Sequence, residues 1–256
     1  MFYDDTGISA RKAERLAGQT PTLPHDGEAW RRYKRPSPLF PKKIPGNADA
    51  LIFHAIDRLP DYSFFWYIEY DVAFSGDWRL FFQAFEASQA DLITTSIRTK
   101  AQIPHWPLWR SLSPPPHVEL ADEQCLRLFL VVGRLSRRLK DQLAPLYQQG
   151  WTGHFEALLG TLALQQGLEV EDIGGDSHLT RPENLNRFYW NTPLQNSLSP
   201  GTLVFRPFRS APGEQPNMLW HPIKQESRKN WDSGRGRLRQ FSSKVLTRMR
   251  TVLNKL

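Results

Sequence analysis

A single cysteine, Cys125, is all the thiol chemistry in this 256-residue chain. It can neither close an internal disulfide nor build a thiolate metal cluster, which fits a reducing compartment. Long apolar runs are also missing. The longest one free of charge, Leu128 to Gly133, falls far short of the roughly 20 residues that span a bilayer. Residues Met1 to Asp5 carry acids where a signal peptide carries bases, so a cytoplasmic protein is expected. There is no GxSxG, Walker loop or GxGxxG, and the histidines show no HExxH spacing. The signatures of serine hydrolases, P-loop proteins, dinucleotide binders and zinc hydrolases are therefore absent. With 40% hydrophobic and 23% charged residues the chain is globular, and its 20 prolines imply many loops.

The net charge of +7 is concentrated at one end. From Arg228 to Leu256 nine Lys/Arg face one acid, Asp232, a net +8, which leaves 24 basic against 25 acidic residues elsewhere. A neutral body offers nucleic acid little to grip, and no nucleic-acid partner is expected. In the tail, Leu238, Phe241, Val245, Met249, Val252 and Leu256 recur at steps of three and four, drawing one apolar stripe along a helix. Such a basic amphipathic helix suits an anionic membrane surface, making the protein peripheral on the membrane; the alternative is a terminal helix docked on the protein's own body.

Along the chain, residues 1–22 hold a strand-like scrap, a turn and a short helical stretch. The prolines between residues 20 and 48 then mark a loop, pinned to the body by Trp30 and Tyr33. Asn47 to Leu59 fits a short helix. Phe64-Phe65-Trp66-Tyr67-Ile68 reads as a buried central strand covered on both faces. Asp77 to Ala87 reads as a helix and Asp91 to Ile97 as a strand, a succession that implies a βαβ crossover. Cys125 to Tyr147 is expected to be mostly helical, with a basic face of Arg134, Arg137, Arg138 and Lys140. A helix over 153–166, a strand over 168–173 and a short late strand over 202–205 complete the pattern.

The sharpest chemical signal is Glu69-Tyr70-Asp71, placed directly after the aromatic strand. Residues two apart on an extended segment share a side, so Glu69 and Asp71 project together and Tyr70 points away. Two adjacent carboxylates repel, and a shared proton or a hard divalent cation relieves them. The bland alternative is a solvated strand end.

The segment FWYIEYDVAFSGDW, Phe65 to Trp78, resembles the DXD region of GT-A-type nucleotide-sugar glycosyltransferases, with Glu as the first acid. The resemblance implies that Glu69 and Asp71 hold Mn²⁺ or Mg²⁺ against the diphosphate of a nucleoside diphosphate sugar donor. Trp151-Thr152-Gly153-His154-Phe155-Glu156 is similar to the acceptor-side segment of inverting members, which makes Glu156 the general base. Leu219-Trp220-His221-Pro222-Ile223-Lys224 is similar to a late element that supplies a further metal ligand, His221, and a diphosphate contact, Lys224. GT-A domains open with a strand and loop that cradle the base, where this chain has only Phe2-Tyr3-Asp4-Asp5 before its loop region. Each residue also has a plainer reading: Glu156 complements a helix dipole, His221 is a packed histidine, and Lys224 is an exposed surface residue.

The expectation is thus an α/β fold, a GT-A-like (Rossmann-like) mixed sheet flanked by helices over residues 1–227, followed by the amphipathic tail 228–256. It would move a sugar to a hydroxyl of a glycan or lipid-linked acceptor, with inversion. The rival expectations are a non-catalytic membrane-associated interaction protein derived from a transferase, and a metal-dependent phosphoesterase or nuclease.

Overall fold

The computed structural model describes residues 29–35, 37–41, 46–191 and 201–224. The amphipathic tail 228–256, the elements expected within residues 1–22 and the side chain of Trp30 lie outside this set. Among the described residues, a mixed four-stranded sheet has β1 (Phe64–Ile68), β3 (Leu92–Thr99), β4 (Leu126–Ser136) and β5 (Val170–Asp172) in the order β1-β4-β3-β5. Strand β4 runs antiparallel to β1 and β3, and β5 runs parallel to β3. A separate two-stranded ribbon pairs β2 (Ala73–Phe74) with β6 (Leu219–Trp220). The helices are α1 (Ala48–Asp57), α2 (Trp78–Gln83), α3 (Arg137–Gln148) and α4 (Phe155–Gln165). None of them is long and apolar enough to cross a membrane.

Two apolar layers sandwich the sheet. Leu126, Leu128 and Leu130 of β4 join a core with Phe53 of α1, Leu139 and Leu143 of α3, and Leu158 and Leu162 of α4. The alternate residues Phe129 and Val131 join the opposite core, where Phe81 of α2, Phe85 and Phe188 are fully buried. Burying each such ring contributes about 2–3 kcal/mol. Close approach is enforced at Gly160 of α4, where a Cβ would meet Leu128 Cδ2 at 2.8 Å. Ser136 caps α3 by accepting from the Leu139 amide at 2.9 Å, and Asp77 caps α2 from Arg79 in the same way.

Three expectations are corrected. The segment from Cys125 does not form one long helix: residues 126–136 are the central strand, and helix begins only at Arg137. Every residue of β4 is buried, because both faces are covered, so no alternation of apolar and polar residues marks it as a strand. Arg134 accordingly lies in the strand, where it donates to the carbonyls of Phe85 and Ser88, rather than on a basic helical face. The aromatic strand β1 is an edge strand of the described sheet rather than its buried centre: Phe64 is exposed and the other four residues are only partly buried. The crossover from β1 to β3 leaves the two strands parallel, but β4 is inserted between them. Finally, the strand expected over 202–205 is reduced to an isolated bridge, Leu203 with His221, while β6 was not foreseen.

The loop 29–35 is pinned as expected by Tyr33, whose hydroxyl bonds Asp57. Beside it, Lys34 places its ammonium 2.9 Å from Asp49 Oδ2, and the Tyr147 hydroxyl donates to the same oxygen at 2.8 Å. All three groups are completely or almost completely buried.

Candidate metal centre

The site forms where β1 ends beside β4. The Glu69 amide still donates to the Val131 carbonyl at 2.9 Å, extending the ladder by one residue; then the chain turns, with Val72 N–H bonding the Glu69 carbonyl. The turn turns Tyr70 out to 87% exposure and keeps Asp71 at 5%. The chain next enters β2, whose pairing with β6 brings in the late segment, and Ile223 N–H donates to the Asp71 carbonyl at 2.7 Å. His221, the residue after β6, is thereby delivered to the two carboxylates. Nitrogen or oxygen ligand atoms of Glu69, Asp71 and His221 all lie within 4.8 Å of one another.

The imidazole is oriented from behind. His221 Nδ1 is 2.8 Å from the Val204 carbonyl, which can only accept, so Nδ1 carries the proton. Nε2 then faces Glu69 Oε2 at 3.4 Å and Asp71 Oδ1 at 3.5 Å. Phe129 of β4 holds the ring edge-on at 5.5 Å. Burial alone would lower the His221 pKa, but the Asp71 and Glu69 carboxylates facing Nε2 outweigh it and raise the value to about 9. Burial likewise pushes Asp71 up, and His221 and Lys224 together hold it below the usual carboxylate range. Lys224 Nζ lies 3.3 Å from Asp71 Oδ2 and 4.5 Å from the Phe208 ring centroid, so it is half-buried rather than a free surface residue.

These residues fit a divalent cation by one specific test. Asp71 Oδ1 is buried and has no hydrogen-bond partner among the described residues; the 3.5 Å approach of His221 is an ionic contact too long to satisfy it. Two carboxylates and an imidazole backed by a carbonyl make a mixed oxygen and nitrogen donor set, which Mn²⁺ accepts more readily than Mg²⁺.

Glu156 stands at the second position of α4, with His154 as the N-cap accepting from its amide at 3.3 Å. It is buried, supported by the Leu130 backbone amide on β4, and sensitive to the charges of Glu69 and His221. Burial pushes its pKa up to about 8; Arg127 opposes the rise and Glu69 adds to it. Burial and the Lys34 charge lower His154 to about 3, so the 3.7 Å contact of its ring with Glu156 joins two neutral groups at neutral pH.

Sequence reasoning thus named Glu69, Asp71, His221 and Lys224, which the fold gathers, and Glu156, which it places within electrostatic reach of the same centre. It missed Tyr67, whose hydroxyl donates to Glu69 Oε1 at 3.3 Å; its position two residues before Glu69 was the available signal. Burial and the Glu69 charge hold this phenol well above its usual pKa, so it remains a donor. Arg127 was missed as well.

Comparison with known proteins returns no matching family model, no matching curated protein and no matching solved structure.

Proposed function

We propose that this chain is a metal-dependent glycosyltransferase with a GT-A-like domain, moving a sugar from a nucleoside diphosphate sugar to an acceptor hydroxyl with inversion. The observation that carries the reading is the orphaned Asp71 Oδ1 inside the Glu69, Asp71 and His221 cluster, at the carboxyl end of a sheet strand. A bound Mn²⁺ or Mg²⁺ would supply positive charge to a leaving diphosphate. Lys224, tethered to Asp71, adds a second cation for phosphate oxygens, and the exposed Tyr70 ring 5.3 Å from its ammonium flanks it. Glu156 takes the proton from the acceptor hydroxyl; with its carboxyl neutral until about pH 8, turnover rises through that pH. The acceptor is a glycan or lipid-linked hydroxyl, reached at an anionic membrane surface to which residues 228–256 bind.

Calorimetry with Mn²⁺ and UDP or GDP tests this. Metal-dependent nucleotide binding is expected in the wild type, and at least about tenfold weaker Mn²⁺ binding in Asp71→Asn, which removes a charged ligand. Unchanged Mn²⁺ affinity in the variant would remove the centre of the proposal. One observation favours a second reading, a non-catalytic protein. Protonated His221 already compensates both carboxylates, as a purely structural cluster would require. That reading expects neither metal nor nucleotide binding in the same titration.

A further inference from the structure

Arg127 of β4 is 5% exposed, and its Nε and Nη1 atoms are buried without a hydrogen-bond partner among the described residues. A buried guanidinium with orphaned donors is costly unless something accepts from it. The nearby acids do not. Glu156 and Asp172 contribute charge at a distance, but among the described residues neither forms an ion pair with Arg127. Asp172 is already occupied by the amides of Ile97, Gly174 and Gly175 and by the Tyr189 hydroxyl. The neighbour across the ladder makes matters worse. Arg98 of β3 is the direct antiparallel partner of Arg127, so two like charges share one face of the sheet. Arg98 has its own ties, to the Ile97 carbonyl and the Asp176 carboxylate, and offers Arg127 only repulsion.

The location connects this pair to the metal centre. Arg127 lies two residues from Phe129 on the same face of β4, about 7 Å along the strand, and Phe129 is the ring against which His221 packs. The Trp106 ring sits 5.9 Å from the guanidinium carbon, an apolar flank that strengthens a charge interaction by excluding water. Arg127 thus lies on the same face of β4 as the ring that backs His221, with Arg98 across the ladder from it.

We propose that Arg127 and Arg98 bind an oxyanion carried by the substrate, a carboxylate or a phosphate distinct from the metal-bound diphosphate. A planar guanidinium fork matches either group bidentately, through Nη2 together with either Nε or Nη1, so an oxyanion bridging the two arginines would satisfy one of the orphaned donors and offset the cross-strand repulsion. That the ligand is a transferase substrate, an acidic sugar or an acidic acceptor, rests on the function proposed above; the existence of the anion site does not.

The test is a melting-temperature titration of the full chain in EDTA, with inorganic phosphate or glucuronate as probes, against glucose and chloride at matched ionic strength. Saturable stabilisation by at least one of the two anions, absent with glucose and chloride, is expected. Arg127→Met should raise the apparent Kd at least about tenfold and Arg127→Lys less. Should Arg127→Met fail to fold, Arg98→Gln gives the same reading, since Arg98 is partly exposed and separately paired. Glucuronate alone acting marks a carboxylate ligand, and phosphate alone a phosphate ligand. No saturable response to either anion, or a response unchanged in the arginine variants, would overturn the proposal. Asp71→Asn should retain the response; its loss there would place the anion at the metal centre instead, and overturn the proposal too. A failure of Mn²⁺ binding, measured separately, would sink the transferase reading and leave the anion titration standing.

Discussion

Replacing Glu156 by Gln separates the cost of burying this carboxyl from its use. The wild-type group is neutral in the folded protein up to about pH 8, against 4.5 for the unfolded chain, with burial as the largest cause. For an acid whose folded pKa is raised, the associated stability is fully present below pH 4.5 and is lost as pH rises through about 8. At about 1.4 kcal/mol per pH unit that interval sets a ceiling of about 5 kcal/mol, and relaxation around the charge leaves about 2–5 kcal/mol. Gln has no such loss. It keeps an acceptor for the Leu130 amide but brings an NH₂ group that needs a partner, so the variant should match or fall slightly below the wild type near pH 5 and exceed it near pH 9. His154 acts on the other limb: its pKa is depressed to about 3, so its contribution is present above pH 6.5 and lost as pH falls from there. That limb is common to both proteins and cancels in their difference. Urea denaturation of both in EDTA across this range gives the answer. Parallel stability profiles would show that Glu156 is not the buried neutral acid described here, and the base assignment would fall with it. In turnover, the same substitution should cost about 10²–10⁴-fold with donor affinity little changed.

Asp49→Asn should destabilise the fold by about 3–5 kcal/mol in the same denaturation assay, because it strands the fully buried Lys34 ammonium; a loss below about 1 kcal/mol would show the pair to be dispensable. Lys224→Ala should weaken UDP or GDP binding in the presence of Mn²⁺ about tenfold while leaving the melting temperature nearly unchanged, and equal affinity would free Lys224 from any diphosphate role. Deleting residues 228–256 should release the chain from anionic vesicles without lowering its melting temperature, at about 1 kcal/mol lost per basic residue near the surface, with binding of the full chain weakened by salt. Equal sedimentation of both forms with a destabilised truncation would instead assign the tail to the core.

Where local sequence pattern and environment agreed, the fold was legible. The short helix before Pro60, the helix at 155–165 and the strand over 92–99 all stand within a few residues of their expected bounds. The aromatic run of β1 is a strand covered on both faces, as expected, since Phe65 and Tyr67 pack on one core and Trp66 and Ile68 on the other, but it is only partly buried. Its place in the sheet was not legible, because edge or centre is decided by pairing partners distant in sequence. The ribbon of β2 and β6 is too short for any periodicity, yet this tertiary pairing is what carries His221 and Lys224 to Glu69 and Asp71.

Misreading the period of one segment had a cost at the site itself. An uninterrupted apolar run such as LFLVVG is compatible with a buried helix or a doubly covered strand, and only length and β-branching weigh between them. With a helical period, Arg127 and Phe129 fall about 200° apart around the axis and have nothing to do with each other. On a strand they share a face, and His221 rests against Phe129. The acidic cluster was therefore readable, since Glu69 and Asp71 are neighbours in sequence and the turn after β1 keeps them together. The arginine pair was not, since Arg98 and Arg127 become neighbours only once β4 is a strand and its register with β3 is fixed. A like-charge pair at that register is unfavourable for the sheet alone, which is the physical reason to look for its compensation in a ligand rather than in the fold.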